Sequence, residues 1–234
     1  MIYFEDLPLD EEILGALKEL SINYVFQSIF YPDGKTIFAR EALMRPVEKT
    51  VTELIDEYYN KGKLHVLEVA TLFGAVQEYQ LRGYTEPFSL NSFPCEAFSS
   101  SEVKAFNDYY GDLSGVGIIE MLEYPEFSDA LCKIKKKACK SQNIRIAIDD
   151  FGSGVNDINV VDKYEPDIVK IDRSLITGID SDSTKQDNVT ALIEMFHAKG
   201  IKVIVEGVET KEEFDYLVGI EADFFQGYYL HMPE

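Results

Sequence analysis

The chain has 234 residues, 46% of them hydrophobic and 12% aromatic, enough to bury a full core as one large domain or two small ones. Its formal net charge is −20, from 42 acidic and 22 basic side chains. That balance argues against a general grip on nucleic-acid polymers, which rests on phosphate neutralisation by Lys and Arg. A small phosphorylated ligand stays open, given metal ions or a local cationic pocket to overcome the repulsion. No apolar run reaches transmembrane length and no basic-then-apolar signal segment opens the chain, so no membrane contact is expected within it.

In chain order, residues 7–20 read as an acidic helix with apolar Ile13, Leu14, Leu17 and Leu20, making 1–21 a helical lead-in. A strand over 22–30 follows. Pro32-Asp33-Gly34-Lys35 is a turn, because Pro pre-sets one dihedral and Gly permits positive φ. A strand over 36–43 comes at once, so the first two strands are expected to be antiparallel. The rhythm then changes. Helices are expected over 50–59 and 64–81, a strand over 88–93, a helix over 100–110, a strand over 116–122 and a helix over 126–140. A strand over 144–150, a short helix over 156–163 and a strand over 168–172 follow. The helix expected over 184–198 carries Val189, Leu192, Ile193 and Phe196 on one face and ends at Gly200. A strand over 202–208 precedes a helix over 210–218, whose Thr210 and Glu213 have capping-box spacing. A strand over 224–230 closes the series.

Eight strands with helices between most of them imply parallel crossover units and an α/β class. That number in a chain of this length suggests a closed (β/α)8 barrel, with the opening hairpin placing one strand against the rest. An open doubly wound sheet is the other architecture. With no linker, low-complexity tract or internal repeat, residues 1–234 read as one domain.

In such a barrel the site gathers at the carboxyl ends of the strands. The second strand ends near Glu41, the third at Asn91, the fourth at Glu120 and the fifth at Asp149 and Asp150. The sixth carries Lys170, the seventh Glu206 and the eighth Gln226. Adjacent carboxylates ending a buried strand are costly unless something neutralises them. A solvated Asp-Asp turn is the alternative for that pair alone. Glu41, Asn91, Glu120, Asp149 and Asp150 are hard oxygen donors that suit Mg2+ or Mn2+ and not zinc or copper. Such a set can hold two ions, the usual clamp for hydrolysis of phosphoesters. Lys170 suits stabilising phosphoryl charge or positioning water, and Glu206 suits accepting a proton. Cys95, Cys132 and Cys139 show no CxxC pairing and fit a reducing cytoplasm. His65, His197 and His231 lack zinc spacing.

At this point the motifs resemble the EAL-domain family of cyclic di-GMP phosphodiesterases. Glu41-Ala42-Leu43-Met44-Arg45 is similar to its ExLxR signature. In the same order come Glu120-Met121-Leu122-Glu123 (ExxE), Asp149-Asp150-Phe151-Gly152-Ser153-Gly154 (DDFGxG), Lys170-Ile171-Asp172 (KxD), Glu206-Gly207-Val208-Glu209-Thr210 (EGVET) and Gln226-Gly227-Tyr228 (QGY). The match spans residues 22–234. The resemblance implies a modified TIM barrel with one antiparallel strand and hydrolysis of cyclic di-GMP to linear pGpG with Mg2+ or Mn2+. Glu41, Asn91, Glu120 and Asp149 would ligate one ion, and Asp149 with Asp150 a second. Lys170 and Glu206 would handle the attacking water. Arg45 would contact substrate phosphate, Gln226 would order the site, and Gln27 falls where the family often has a substrate-contacting glutamine. Glu123 would anchor the loop 151–157, which in the family couples metal binding to a dimer interface. A cytoplasmic homodimer, with a sensory or regulatory partner acting on it, is implied as well. A degenerate family member that binds the nucleotide or a protein without turnover, and a two-metal phosphatase with another substrate, are the competing readings.

The sequence also departs from the family pattern. The usual N-x-S is Asn91-Ser92-Phe93-Pro94, and the usual Tyr-Ser-Ser after the glycines is Val155-Asn156-Asp157. The segment after Arg45 lacks the usual Pro- and Gly-rich stretch, which alters a wall of the cleft and not the metal set. The chain ends soon after Pro233, which reads as a shortened end. No diguanylate-cyclase or sensory segment is read in these residues.

Overall fold

The structure is a computed structural model that describes residues 7–111, 113–122, 124, 128–154 and 158–234. Helix α1 (Glu11–Glu19) is capped by Asp10, whose side chain accepts from the Glu12 N–H at 2.8 Å. It leads into β1 (Ile22–Phe30), which turns past Gly34 (φ +62°) into β2 (Ile37–Pro46). The two strands pair antiparallel from Phe30↔Ile37 to Ile22↔Pro46, as the short turn requires. This ladder carries β2 three residues past its expected end at Leu43, so Glu41 stands mid-strand, opposite Gln27.

The chain continues through α2 (Val51–Asn60), α3 (Leu64–Leu81), β3 (Phe88–Ser92), α4 (Ser100–Tyr110), β4 (Gly117–Met121), α5 (Asp129–Ser141) and β5 (Arg145–Phe151). Then come α6 (Ile158–Tyr164), β6 (Ile168–Ile171), α7 (Arg173–Ile176), α8 (Ser183–Ala198), β7 (Lys202–Val205), α9 (Lys211–Gly219) and β8 (Phe224–Phe225). The strands close in sequence order into a barrel. β2 to β8 are parallel, and β1 is antiparallel to both β2 and β8. This is the expected barrel, and closure through Phe30↔Phe225 excludes the open sheet.

Local chemistry explains most of the boundaries. Thr50 with Glu53, Ser99 with Glu102, and Thr210 with Glu213 form reciprocal capping boxes at α2, α4 and α9. Two strands stop three or more residues before their expected ends. β7 stops at Val205, just before Gly207 at φ +65°. β8 stops at Phe225 because the chain crosses Val208 at Gly227, where an added Cβ would lie 2.1 Å from the Val208 carbonyl oxygen. Glu234 compensates by exchanging backbone hydrogen bonds of 2.8 and 3.1 Å with Phe26 on β1.

Apolar layers outside the barrel wall join β1–β3 to α1, α3 and α4, and β5–β8 to α5, α6, α8 and α9. Inside the barrel, Ile29, Ala39, Ile118, Ala147, Ile168, Ile204 and Phe224 form an apolar floor, joined by Phe38 stacked on Phe224 at 3.6 Å. This floor supports the polar side chains of the next layer.

Candidate active site

Side chains alternate faces along a strand, so the residue two positions beyond each floor residue enters the barrel one layer higher. Ala39 is followed in this way by Glu41, Ile118 by Glu120, Ala147 by Asp149, Ile168 by Lys170, Ile204 by Glu206 and Phe224 by Gln226. On antiparallel β1, Gln27 stands two residues before Ile29, and β3 contributes Ser89 and Asn91. A single two-residue step therefore converts an apolar layer into a polar one on almost every strand.

The hub of this layer is Lys170, which is 1% exposed. Its Nζ lies 2.8 Å from Glu120 Oε2, 2.8 Å from Asp149 Oδ1, 2.8 Å from Glu206 Oε1 and 3.3 Å from Glu41 Oε2. Glu41 also accepts from Asn91 Nδ2 at 3.1 Å and from Gln226 Nε2 at 2.7 Å. Glu120 accepts from Ser89 Oγ at 2.6 Å. Gln226 Nε2 stands 3.3 Å from Gln27 Oε1, and Gln27 Nε2 donates to the His231 carbonyl at 3.2 Å.

Adjacent strand residues normally point to opposite faces, yet Asp149 and Asp150 meet. The β5–β6 register shifts between Ile148 and Phe151, and Asp150 takes φ +50° there. Such a bulge re-aims a side chain. Asp149, Asp150 and Glu206 consequently offer carboxylate oxygens all within 4.8 Å of one another.

Electrostatics tests whether a cation fits. Burial, aided by the Glu41 charge, pushes Glu120 up to about 8 against the pull of Lys170. Burial likewise raises Asp149 and carries Glu206 well above the ordinary carboxylate range. Burial opposes ionisation of Glu41 too, but Lys170, Gln226 and Asn91 outweigh it and hold Glu41 below its usual value. Burial pulls Lys170 down, while Asp149, Glu120 and Glu206 outweigh it and keep the ammonium charged. Four carboxylates thus share one ammonium, and most of them resist ionising without further positive charge. The donors are hard oxygens from Asp, Glu and Asn. This set fits a divalent cation of the magnesium and manganese class.

A cleft of about 260 Å³ runs from Glu41, Asn91 and Asp149 past Phe93 and Leu122 to Arg45. Arg45 is exposed at the end of β2 and donates to the Met44 carbonyl at 3.0 Å. The structure thus brings Gln27, Glu41, Asn91, Glu120, Asp149, Asp150, Lys170, Glu206 and Gln226 together, with Arg45 on the same cleft. Glu123, expected to anchor a loop, lies outside the described residues, as does part of that loop at 155–157. Ser89 was not anticipated. Its signal was its position two residues before Asn91 on the same strand, which predicts the same inward face.

Comparison with known proteins sets this geometry in context. The family model for the EAL domain matches residues 10–233. Cyclic di-GMP phosphodiesterase TpdA of Vibrio parahaemolyticus serotype O3:K6 is 32% identical over 228 residues, 92% of this chain and 37% of that protein. Blue light- and temperature-regulated antirepressor BluF of Escherichia coli strain K12 is 24% identical over 231 residues, 93% of this chain and 56% of that protein. The chain therefore spans less than two thirds of the length of either relative. Among solved structures, the c-di-GMP bound form of a standalone versatile EAL protein from Vibrio cholerae O395 superposes with a TM-score of 0.78 at 26% identity. That match covers 90% of this chain and 91% of the other.

Proposed function

The chain belongs to the EAL-domain family, and from that premise we propose that it is a metal-dependent phosphodiesterase that hydrolyses cyclic di-GMP to linear pGpG. The observation that carries this reading is the Lys170 amine ringed by four carboxylates, three from β2, β4 and β5 and one from Glu206 just after β7, beside the Asp149–Asp150–Glu206 cluster. Glu41, Asn91, Glu120 and Asp149 would hold one Mg2+ or Mn2+, and Asp149 with Asp150 a second. When bound, such ions lower the pKa of water and neutralise charge on phosphoryl oxygens.

The protein's own groups supply the rest. Lys170 keeps its proton and presents a fixed positive charge to the attacking water or the phosphoryl group. Glu206, whose carboxyl burial raises well above its ordinary value, stands 2.8 Å from Lys170 and beside Asp149 and Asp150, placed to accept a proton from the attacking water. Asn91 and Gln226 hold Glu41 in a single orientation through its two oxygens. Arg45 at the mouth of the cleft is the cation for a substrate phosphate, and Gln27 and Gln226 line the polar layer it would enter. The apolar floor excludes water from below.

A second reading, a domain that binds cyclic di-GMP or a protein partner without turnover, draws on the similarity to BluF, whose name is that of an antirepressor. The complete donor set weighs against it, because each metal-binding and proton-handling position holds a competent residue. We extend the proposal to a cytoplasmic homodimer under a regulatory partner. The three cysteines, Cys95, Cys132 and Cys139, are buried as thiols and not joined in disulfides, which supports a reducing compartment. No helix among the described residues is long and apolar enough to cross a membrane.

The deciding experiment incubates the purified chain with cyclic di-GMP and Mg2+, Mn2+ or EDTA and resolves the products by chromatography. Metal-dependent pGpG that disappears in EDTA is expected. Intact nucleotide in all three conditions, with saturable binding, would establish the second reading instead.

A further inference from the structure

Behind the wall of the barrel lies a second buried charge cluster that none of the family motifs includes. Lys135 on α5 and Glu68 on α3 are both buried, with Nζ and Oε1 3.2 Å apart. Between them sits the end of β3. Lys135 Nζ lies 2.5 Å from Ser92 Oγ and 2.6 Å from the Phe93 carbonyl oxygen. Glu68 accepts from the Ser92 hydroxyl and, at 3.1 Å, from the Phe93 N–H. The pair thus takes both backbone groups of Phe93 and the side chain of Ser92.

This point of the barrel needs support. The β2–β3 ladder ends at Ala42↔Leu90, one residue before Asn91. From there β3 is held on one side by β4, through Asn91↔Glu120, Ser92↔Met121 and the Leu122 N–H to the Ser92 carbonyl at 3.1 Å. Alternation along the strand sends Asn91 inward to Glu41 and Ser92 outward to Lys135. A buried ion pair is a weak source of stability compared with apolar packing of the same volume. Its groups are here aimed at the backbone that carries an interior ligand position.

We propose that Lys135 and Glu68 are positioning residues for the metal site, clamping the end of β3 from outside the barrel and so setting where Asn91 stands beside Glu41. The inference rests on the reading of Asn91 as a metal ligand. It assigns α3 and α5 a part in cation affinity, although neither reaches the barrel interior. Partners that orient a metal ligand typically change metal affinity by about 10- to 100-fold when removed, and that is the range expected here.

The test is a titration of the whole chain with Mn2+, following free Mn2+ by electron paramagnetic resonance. Wild type and Asp149→Asn come first, the variant being expected to lose the site. Removing one charge alone strands its partner in the interior and endangers folding. The clamp is therefore removed as a pair, Glu68→Leu with Lys135→Met, and Ser92→Ala serves as a milder second variant. The paired variant is expected to keep a cooperative thermal transition and to raise the Mn2+ Kd about 10- to 100-fold, with Ser92→Ala changing it in the same direction by less. In an Asn91→Ala background the paired substitution is expected to add less than about a further 2-fold, because the group it positions is gone. If wild type and Asp149→Asn bind alike, the metal reading and this inference fall together. If Asp149→Asn loses the site and the paired variant binds as wild type, the inference alone falls. It also falls if the paired substitution multiplies fully with Asn91→Ala, since the clamp would then act by some route other than Asn91.

Discussion

The floor of the barrel and the layer above it are built on the same strands, two residues apart. Ala39, Ile118, Ala147, Ile168 and Ile204 fill the lower level, and Glu41, Glu120, Asp149, Lys170 and Glu206 fill the upper one. The backbone ladders continue through both. What differs is how each level tolerates burial. The floor needs only volume that fits, and its stabilisation grows with apolar area removed from water. The upper level is tolerated because each charge faces an opposite one, and its carboxylates still outnumber its ammonium. A folded barrel is thus stabilised mainly from below and primed for a cation from above.

Breaking the upper layer should have the largest effect. Glu41→Ala removes the acceptor shared by Asn91, Gln226 and Lys170. It is expected to abolish hydrolysis of cyclic di-GMP, a loss of at least about 100-fold in kcat/KM, and to weaken metal binding in calorimetry. Turnover that survives this change would refute the assigned site.

Lys170→Met should come next, this time in stability. Four carboxylates then lose their common counter-ion, and breaking a buried charge cluster costs about 3–5 kcal/mol. Urea unfolding of the metal-free chain reads that loss. Saturating Mn2+ should return part of it, because a ligand bound to the folded state stabilises that state by mass action.

A floor substitution sharpens the contrast. Ile204→Ala is expected to cost about 2–5 kcal/mol in the same unfolding experiment through lost burial and an unfilled cavity. The Mn2+ affinity of the protein that remains folded should stay within about 2-fold of wild type. A large fall in metal affinity would mean that the two levels are not separable.

The pH response belongs to the upper level alone, since the floor carries no titratable group. Glu120 titrates near 4.5 when unfolded and is pushed up to about 8 in the folded chain by burial and by Glu41. Between those values the folded state holds more protons than the unfolded one. The Glu120 contribution to metal-free stability must therefore fall as pH rises from about 4.5 to about 8, and level off above that. Glu120→Gln should flatten this part of the profile in chemical denaturation across pH. Mn2+ should flatten it as well, since a bound cation favours the ionised carboxylate.

Much of this was legible before folding. The period-2 strands, the Pro32–Gly34 turn that forces β1 against β2, the Thr210–Glu213 capping box and the acids and amides at strand ends are local patterns. They recur in the structure within a few residues. The upper layer was legible for the same reason: an inward position repeats every second residue, whatever the rest of the fold does. Strand ends were the weak point. β2 ran past Leu43 because its partner strand carried it, and β8 stopped short because Gly227 crosses Val208, and neither cause is local.

Composition and periodicity thus determined which residues face inward, which elements form, and that the interior would be rich in hard oxygen donors. Tertiary structure alone decided the distances. It made Lys170 the common neighbour of acids 21 to 129 positions away, aimed Asp149 and Asp150 at one point through a bulge, and brought Glu68 and Lys135 to the end of β3. The physical reason is that a side chain's direction follows from its own strand or helix, whereas its neighbours follow from barrel closure, which depends on every strand at once.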